Sequence, residues 1–117
     1  MTQENKELLL KDLCARLPYG VKIKLIRWDI DEGIYINTTL EPDDIERLLN
    51  VEEGDTEIKP YLFPLSSITK KTLEELSAYI DIKNAYVAVE FFNSHHIDYR
   101  GLIEKGLAID ATGLNIY

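Results

Sequence analysis

The chain has 117 residues, 45% of them hydrophobic, which suits a single domain built around one core. One cysteine excludes an internal disulfide framework, and no apolar run approaches the ~20 residues needed to span a bilayer. The formal net charge of −8 disfavours direct attraction to a nucleic-acid backbone, which needs a basic footprint. The opening Met-Thr-Gln-Glu-Asn-Lys-Glu lacks the basic and apolar regions of a signal peptide, so the expected location is the cytoplasm.

Residues 3–17 read as a helix. Leu10, Leu13, Cys14 and Leu17 recur at helical spacing and predict the buried stripe, with Lys6, Glu7, Lys11 and Asp12 facing water. On this reading Cys14 is a small core residue rather than a reactive thiol. Pro18 stops the helix and Tyr19-Gly20 turn the chain.

Residues 21–28 alternate, with Val21, Ile23 and Leu25 on one face, and the alternation slips at Leu25-Ile26, which predicts a bulge or an exchange of buried face there. A turn at 29–33 leads to a second alternating run, 34–40, with Ile34, Ile36, Thr38 and Leu40 together, giving an antiparallel hairpin. Asp29, Asp31 and Gly33 resemble the start of a calcium loop. An EF-hand places Gly sixth and Glu twelfth, whereas Gly33 is fifth and Leu40 twelfth, so the turn reading stands.

Pro42 starts a short helix whose positive end suits Asp43 and Asp44, with Ile45, Leu48 and Leu49 as its apolar edge. The charge of the chain concentrates here. Residues 41–57 carry eight acids and one base, against a balanced 1–40 and a net −1 over 58–117. After a loop at 51–58, Pro60 and Pro64 argue against a helix or a central strand. They predict an extended, edge-like segment pressing Tyr61, Leu62, Phe63 and Leu65 onto the body.

Thr69 is placed as the N-cap of a helix with Leu73, Leu76 and Ile80 buried. Ala85, Ala88, Val89 and Phe92 share a helical face, which favours a helix ending near Asn93-Ser94 over a buried strand. Leu102–Lys105 reads as one further turn closed by Gly106 at its C′ position, then a short extended Leu107–Ile109. The fold class expected is therefore α+β in one domain over 1–117: an N-terminal helix, an antiparallel hairpin and C-terminal helices with a short terminal strand.

The string His95-His-Ile-Asp-Tyr-Arg-Gly-Leu-Ile-Glu-Lys-Gly-Leu-Ala-Ile109 follows an upstream Lys59-Pro-Tyr-Leu-Phe-Pro-Leu-Ser-Ser67. As a pair these blocks resemble the signature of a family of small uncharacterised proteins carried by phages, prophages and mobile elements of gut bacteria. Relatives often carry Trp-Leu where this chain has Phe91-Phe92, which keeps bulk and loses an indole N–H. The resemblance implies a biological context and no activity, cofactor or site residue.

Two sets of residues carry chemistry. His95, His96, Asp98 and Arg100 have the types needed for acid–base work, with His96 as base, Asp98 orienting it and Arg100 holding an anion. Adjacent histidines diverge, however, and zinc would need remote ligands, so no metal and no cofactor is expected. The structural reading of the same segment has one imidazole capping backbone carbonyls and Asp98 pairing with Arg100 or accepting backbone N–H bonds. No nucleophile or phosphate loop stands out, and the balance leans away from an enzyme.

The second set is the acidic segment, with Asp43, Asp44, Glu46, Glu52 and Glu53, joined by Tyr61, Tyr99 and Arg100 as residue types enriched at interfaces. The acidic segment reads either as a solvated face or as an anionic surface that occupies a basic groove, imitating nucleic acid. The function expected is a non-enzymatic regulatory or interaction module with a protein partner bearing a basic surface, without direct nucleic-acid or membrane binding. The alternative is a small hydrolase or metal-binding protein centred on His95–Arg100. Oligomeric state is left open.

Overall fold

The computed structural model describes residues 2–27, 33–50, 56–71, 74 and 85–117. The architecture is α+β. Helix α1 (Gln3–Arg16) runs through a 3-10 turn (Leu17–Tyr19) into strands β1 (Lys22–Arg27) and β2 (Ile34–Thr39). Helix α2 (Pro42–Asn50), strand β3 (Thr56–Pro64), a 3-10 turn (Leu65–Ser67), helix α3 (Ala85–Ser94) and the short strands β4 (Ile97–Asp98) and β5 (Ile109–Asp110) follow. No described helix is long and apolar enough to cross a membrane.

Helix α1 starts where Thr2 accepts the Asn5 N–H on its side chain, an N-cap that satisfies one of the orphan donors of the first turn. Its buried face is Leu9, Asp12, Leu13 and Arg16, rotated from the stripe expected from apolar residues alone. Cys14 is exposed, and Leu10 and Leu17 only flank the core. The rotation follows from pairing: Asp12 and Arg16 bond each other across one helical turn, which lets two charged residues occupy inward positions.

The β1–β2 hairpin forms as expected, and its turn lies outside the described residues. The irregularity sits in β2 rather than at Leu25-Ile26. Ile23 faces Thr38 and Leu25 faces Tyr35, so Ile36 and Asn37 together oppose Lys24. Asn37 takes the left-handed conformation at φ 59°, which Asn tolerates better than most residues. Ile34 and Ile36 are exposed, whereas Leu40 is buried.

The largest departure is β3, a central strand despite its two prolines. It pairs antiparallel with β1 over 56–60 and parallel with β4 at Phe63-Pro64 and β5 at Tyr61-Leu62. Successive residues of a strand aim their polar groups at opposite edges. The Phe63 N–H donates to His96 O (2.8 Å) and Leu62 O accepts from the Ala111 N–H (2.8 Å), so β4 and β5 lie on opposite edges of β3. Pro60 and Pro64 share the parity of Leu62. Their nitrogens therefore face the β5 edge, on either side of the two residues that β5 engages, where the ladder calls for no donor.

Leu62, Ile58 and Tyr61 are buried, while Leu65 is exposed. The core joins Leu9 and Leu13 of α1 to Val21, Ile23 and Leu25 beside β3, to Ile45 and Leu48 of α2, and to Leu102, Leu107 and Ala108. Leu49, expected on the apolar edge of α2, is exposed. Helix α3 ends at Ser94, with Asn93 buried and Val89 exposed. Lys70, Lys71 and Glu74 are helical, and Leu73, Leu76 and Ile80 lie outside the described residues.

Candidate functional site

The segment that leaves α3 is organised by an ion triad it shares with α1. Asp12 accepts from Arg16 Nε on one carboxylate oxygen (2.8 Å) and from an Arg100 guanidinium nitrogen on the other (2.7 Å). Arg16 also donates to the carbonyls of Ile97 (2.6 Å) and Phe92 (3.4 Å), which ties α1 to the end of α3 and the start of β4. Tyr99 packs its ring on Phe92 at 5.5 Å, with the guanidinium carbons of Arg100 and Arg16 at 4.6 and 5.4 Å from its centroid. Guanidinium groups over an aromatic face gain from the ring quadrupole. Asp12, expected to face water, is fully buried because Arg16 and Arg100 both bond its carboxylate, and Arg16 was not singled out from the sequence. The i, i+4 spacing of Asp12 and Arg16 is the signal that could have found them.

The two histidines separate, one outward and one inward. His95 stays exposed, stacks on Phe91 at 4.2 Å, and places Nδ1 3.0 Å from Phe91 O and 3.1 Å from the Ser94 hydroxyl. It is a cap on the last turn of α3. His96 adopts φ 58°, the left-handed geometry that ends a helix, and turns its ring flat onto Tyr117 at 3.8 Å and 14°. Burial, helped by the nearby positive charge of Arg16 and by His95, lowers the His96 pKa to about 4. Its imidazole is therefore neutral at pH 7, and its Nδ1 is buried without a hydrogen-bond partner.

Asp98 accepts the N–H groups of Leu102 (3.0 Å) and Ile103 (2.9 Å), holding the start of the next turn. That turn closes as the glycine predicts. Gly106, at φ 73°, donates to Ile103 O (3.1 Å), and Leu107 donates to Leu102 O (2.9 Å). Asp98 thus serves the backbone, and Arg100 pairs with Asp12 on α1.

Tyr117 completes the arrangement and was not singled out from the sequence. Its hydroxyl donates to Tyr61 O (2.7 Å) and accepts the Lys22 N–H (2.8 Å). Lys22 and Tyr61 are the next pair after Ile23–Pro60 in the β1–β3 register, so the phenol replaces a ladder bond where β1 gives way to β4. Burial of this hydroxyl raises its pKa to about 12.

The acidic residues divide. Asp43 and Glu46 are exposed on α2, beside exposed Glu41. Asp44 is buried, and its carboxylate takes the Glu41 N–H (2.9 Å) while Glu41 O takes the Asp44 N–H (3.0 Å), a reciprocal cap at the start of α2. Glu52 and Glu53 lie outside the described residues. Tyr61 is buried in the sheet, and Tyr99 and Arg100 are half-buried, Arg100 in the triad and Tyr99 packed against its guanidinium groups. Among the described residues, no group of three or more His, Cys, Asp or Glu is placed to hold a metal ion.

Fold and site together define an α+β protein in which a central mixed-sheet strand and a buried Asp–Arg triad fix the residue 92–100 segment. No family model, curated protein or solved structure matches the chain.

Proposed function

We propose that this chain is a non-enzymatic regulatory or protein-interaction module that offers an acidic face to a basic partner, in the manner of nucleic acid. The observation that supports this reading is the contrast between two clusters. Asp43 and Glu46 stand exposed on α2 with Glu41 exposed just before it, whereas Asp98, Arg100 and His96 are engaged with the fold. The resemblance of the two sequence blocks to mobile-element proteins supplies the context in which such a module acts on a host component.

The test uses Asp43→Asn/Glu46→Gln, which spares the cap residue Asp44. Host lysate is passed over wild type and variant, and the partner recovered is then measured in purified form. A basic partner is expected, with association that slows as salt rises and slows in the variant, because exposed charges are screened beyond about 8 Å at physiological ionic strength. A variant that associates at the wild-type rate at every salt concentration overturns the reading.

A small hydrolase or metal-binding protein centred on His95, His96, Asp98 and Arg100 is the second reading. It is favoured by one observation: Asn93 Oδ1, His96 Nδ1 and the Tyr99 hydroxyl are buried without hydrogen-bond partners, which is uncommon for buried polar atoms. Metal analysis of the purified protein separates the two readings. Stoichiometric zinc supports this second one.

A further inference from the structure

Strand β2 ends the sheet, and its only strand partner among the described residues is β1. Among the described residues its outer edge therefore carries backbone groups open to another strand. The register identifies them. Leu40 donates to Val21 O (2.9 Å), so the odd-numbered residues of β1 aim at β2, and Leu25 in turn faces Tyr35. Tyr35 directs its backbone groups to β1, and Ile34 and Ile36 direct theirs outward. The side chains are open too: Ile34, Tyr35 and Ile36 are 59, 45 and 63% exposed. Residues 34–39 contain no charge and no proline, the usual protections of an edge strand, and the bulge at Asn37 limits the regular edge to 34–36.

We propose that this edge pairs antiparallel with the same edge of a second copy of the chain, about a two-fold axis at Tyr35. The sequence Ile34-Tyr35-Ile36 is palindromic, so a reversed copy presents the same side chains in the same order. Ile34 of one copy then opposes Ile36 of the other. Both aim their backbone groups outward, so each such pair exchanges both N–H···O bonds. Tyr35 meets its own counterpart in the non-hydrogen-bonded pair, where side chains approach most closely. Two chains of net charge −8 repel, and they meet most readily on an uncharged patch such as 33–40. The contact is isologous and uses the edge completely, so assembly stops at the dimer.

Sedimentation of the full chain from micromolar to millimolar concentration tests this. A monomer–dimer equilibrium is expected that tightens with added salt, as repulsion is screened. Ile36→Lys, at an exposed position that leaves the melting temperature unchanged, should weaken it by roughly tenfold or more, about 1.4 kcal/mol. Register is read by cross-linking in a Cys14→Ser background with glutathione disulfide as oxidant. Tyr35→Cys should give a covalent dimer, because the Cα atoms of directly opposed non-hydrogen-bonded residues stand about 4.5 Å apart, within disulfide reach. Ile34→Cys should not, since it faces Ile36. A chain that stays monomeric at millimolar concentration, a dimer that loosens with salt or ignores Ile36→Lys, or cross-linking of Ile34→Cys in preference to Tyr35→Cys, overturns the proposal.

Discussion

Asp12 and Arg16, one turn apart on α1, form an ion pair at 2.8 Å with both side chains fully excluded from solvent. Burying two charges is unfavourable unless every lone pair and proton finds a partner. Here the remaining carboxylate oxygen takes Arg100, and the remaining guanidinium nitrogens take Ile97 O and Phe92 O. The pair is therefore the joint by which the N-terminal helix grips the segment after α3.

Removing the shared acid should be severe. Asp12→Ala leaves Arg16 buried without its counter-ion and is expected to lose about 3–5 kcal/mol, the range for breaking a buried pair from one side. Arg100→Ala, at a partly accessible position, should lose about 1–3 kcal/mol, and so should Asp98→Ala, which deprives two backbone N–H groups of their acceptor. Urea denaturation of the three variants checks the order. If Asp12→Ala loses no more than Arg100→Ala, the triad is not the joint described.

His96 supplies a pH dependence. Its folded pKa of about 4 lies below the ordinary value of 6.5, so the fold binds fewer protons than the unfolded chain between these values. Its contribution is fully present above pH 6.5 and is lost as pH falls from 6.5 through 4. His96→Asn keeps a side chain that accepts positive φ and removes the titration. Stability of the variant should fall less than that of wild type over this window, as read from urea midpoints. Parallel curves would contradict the burial of the imidazole.

Tyr117 gives the opposite sign at high pH. Its folded pKa of about 12 lies above the ordinary 10, so its contribution is complete below pH 10 and fades as pH rises from 10 through 12. Tyr117→Phe leaves the Lys22 N–H and Tyr61 O without the bridging hydroxyl and should lose about 1–3 kcal/mol at neutral pH. The variant should also show less alkaline destabilisation than wild type between pH 10 and 12. Equal alkaline loss in both proteins would show that the bridge is not what titrates.

Cys14 offers a simple check of the orientation of α1. It is exposed, so the folded protein should react with a thiol reagent at a rate close to that of the unfolded chain. Protection in the folded protein would restore the stripe of Leu10, Leu13, Cys14 and Leu17 to the core.

That stripe shows where sequence reasoning stops. The elements were legible because their signals are local: the helix ended by Pro18, the alternation of Val21, Ile23 and Leu25, and the glycine that closes the Leu102 turn. The face of α1 was not, since Asp12 and Arg16 are inward only because Arg100 and two distant carbonyls receive them. Strand β3 was misjudged for a related reason. Proline excludes a hydrogen bond on one side of one residue, and the sequence does not show which side other strands will occupy. The histidines could be seen as a cluster, whereas their separation depends on the positive φ of His96 and on Tyr117 arriving from further along the chain.

The sheet also sets an order of assembly. The pairing of β3 with β1 is available once residue 60 has been made, whereas its bonds to β4 and β5 wait for residues 97–111. A chain emerging from the ribosome can therefore zip β2, β1 and the first half of β3 while Leu62 O and the Phe63 N–H still face water. Parallel pairings that close long loops form slowly, and unpaired strand edges invite association with the wrong partner. Until the last third of the chain arrives, the nascent sheet is open on both flanks, at β2 and along the second half of β3. The docking of Tyr117 between Lys22 and Tyr61 waits in the same way, since Tyr117 follows β4 and β5 in the chain and bridges β1 to β3.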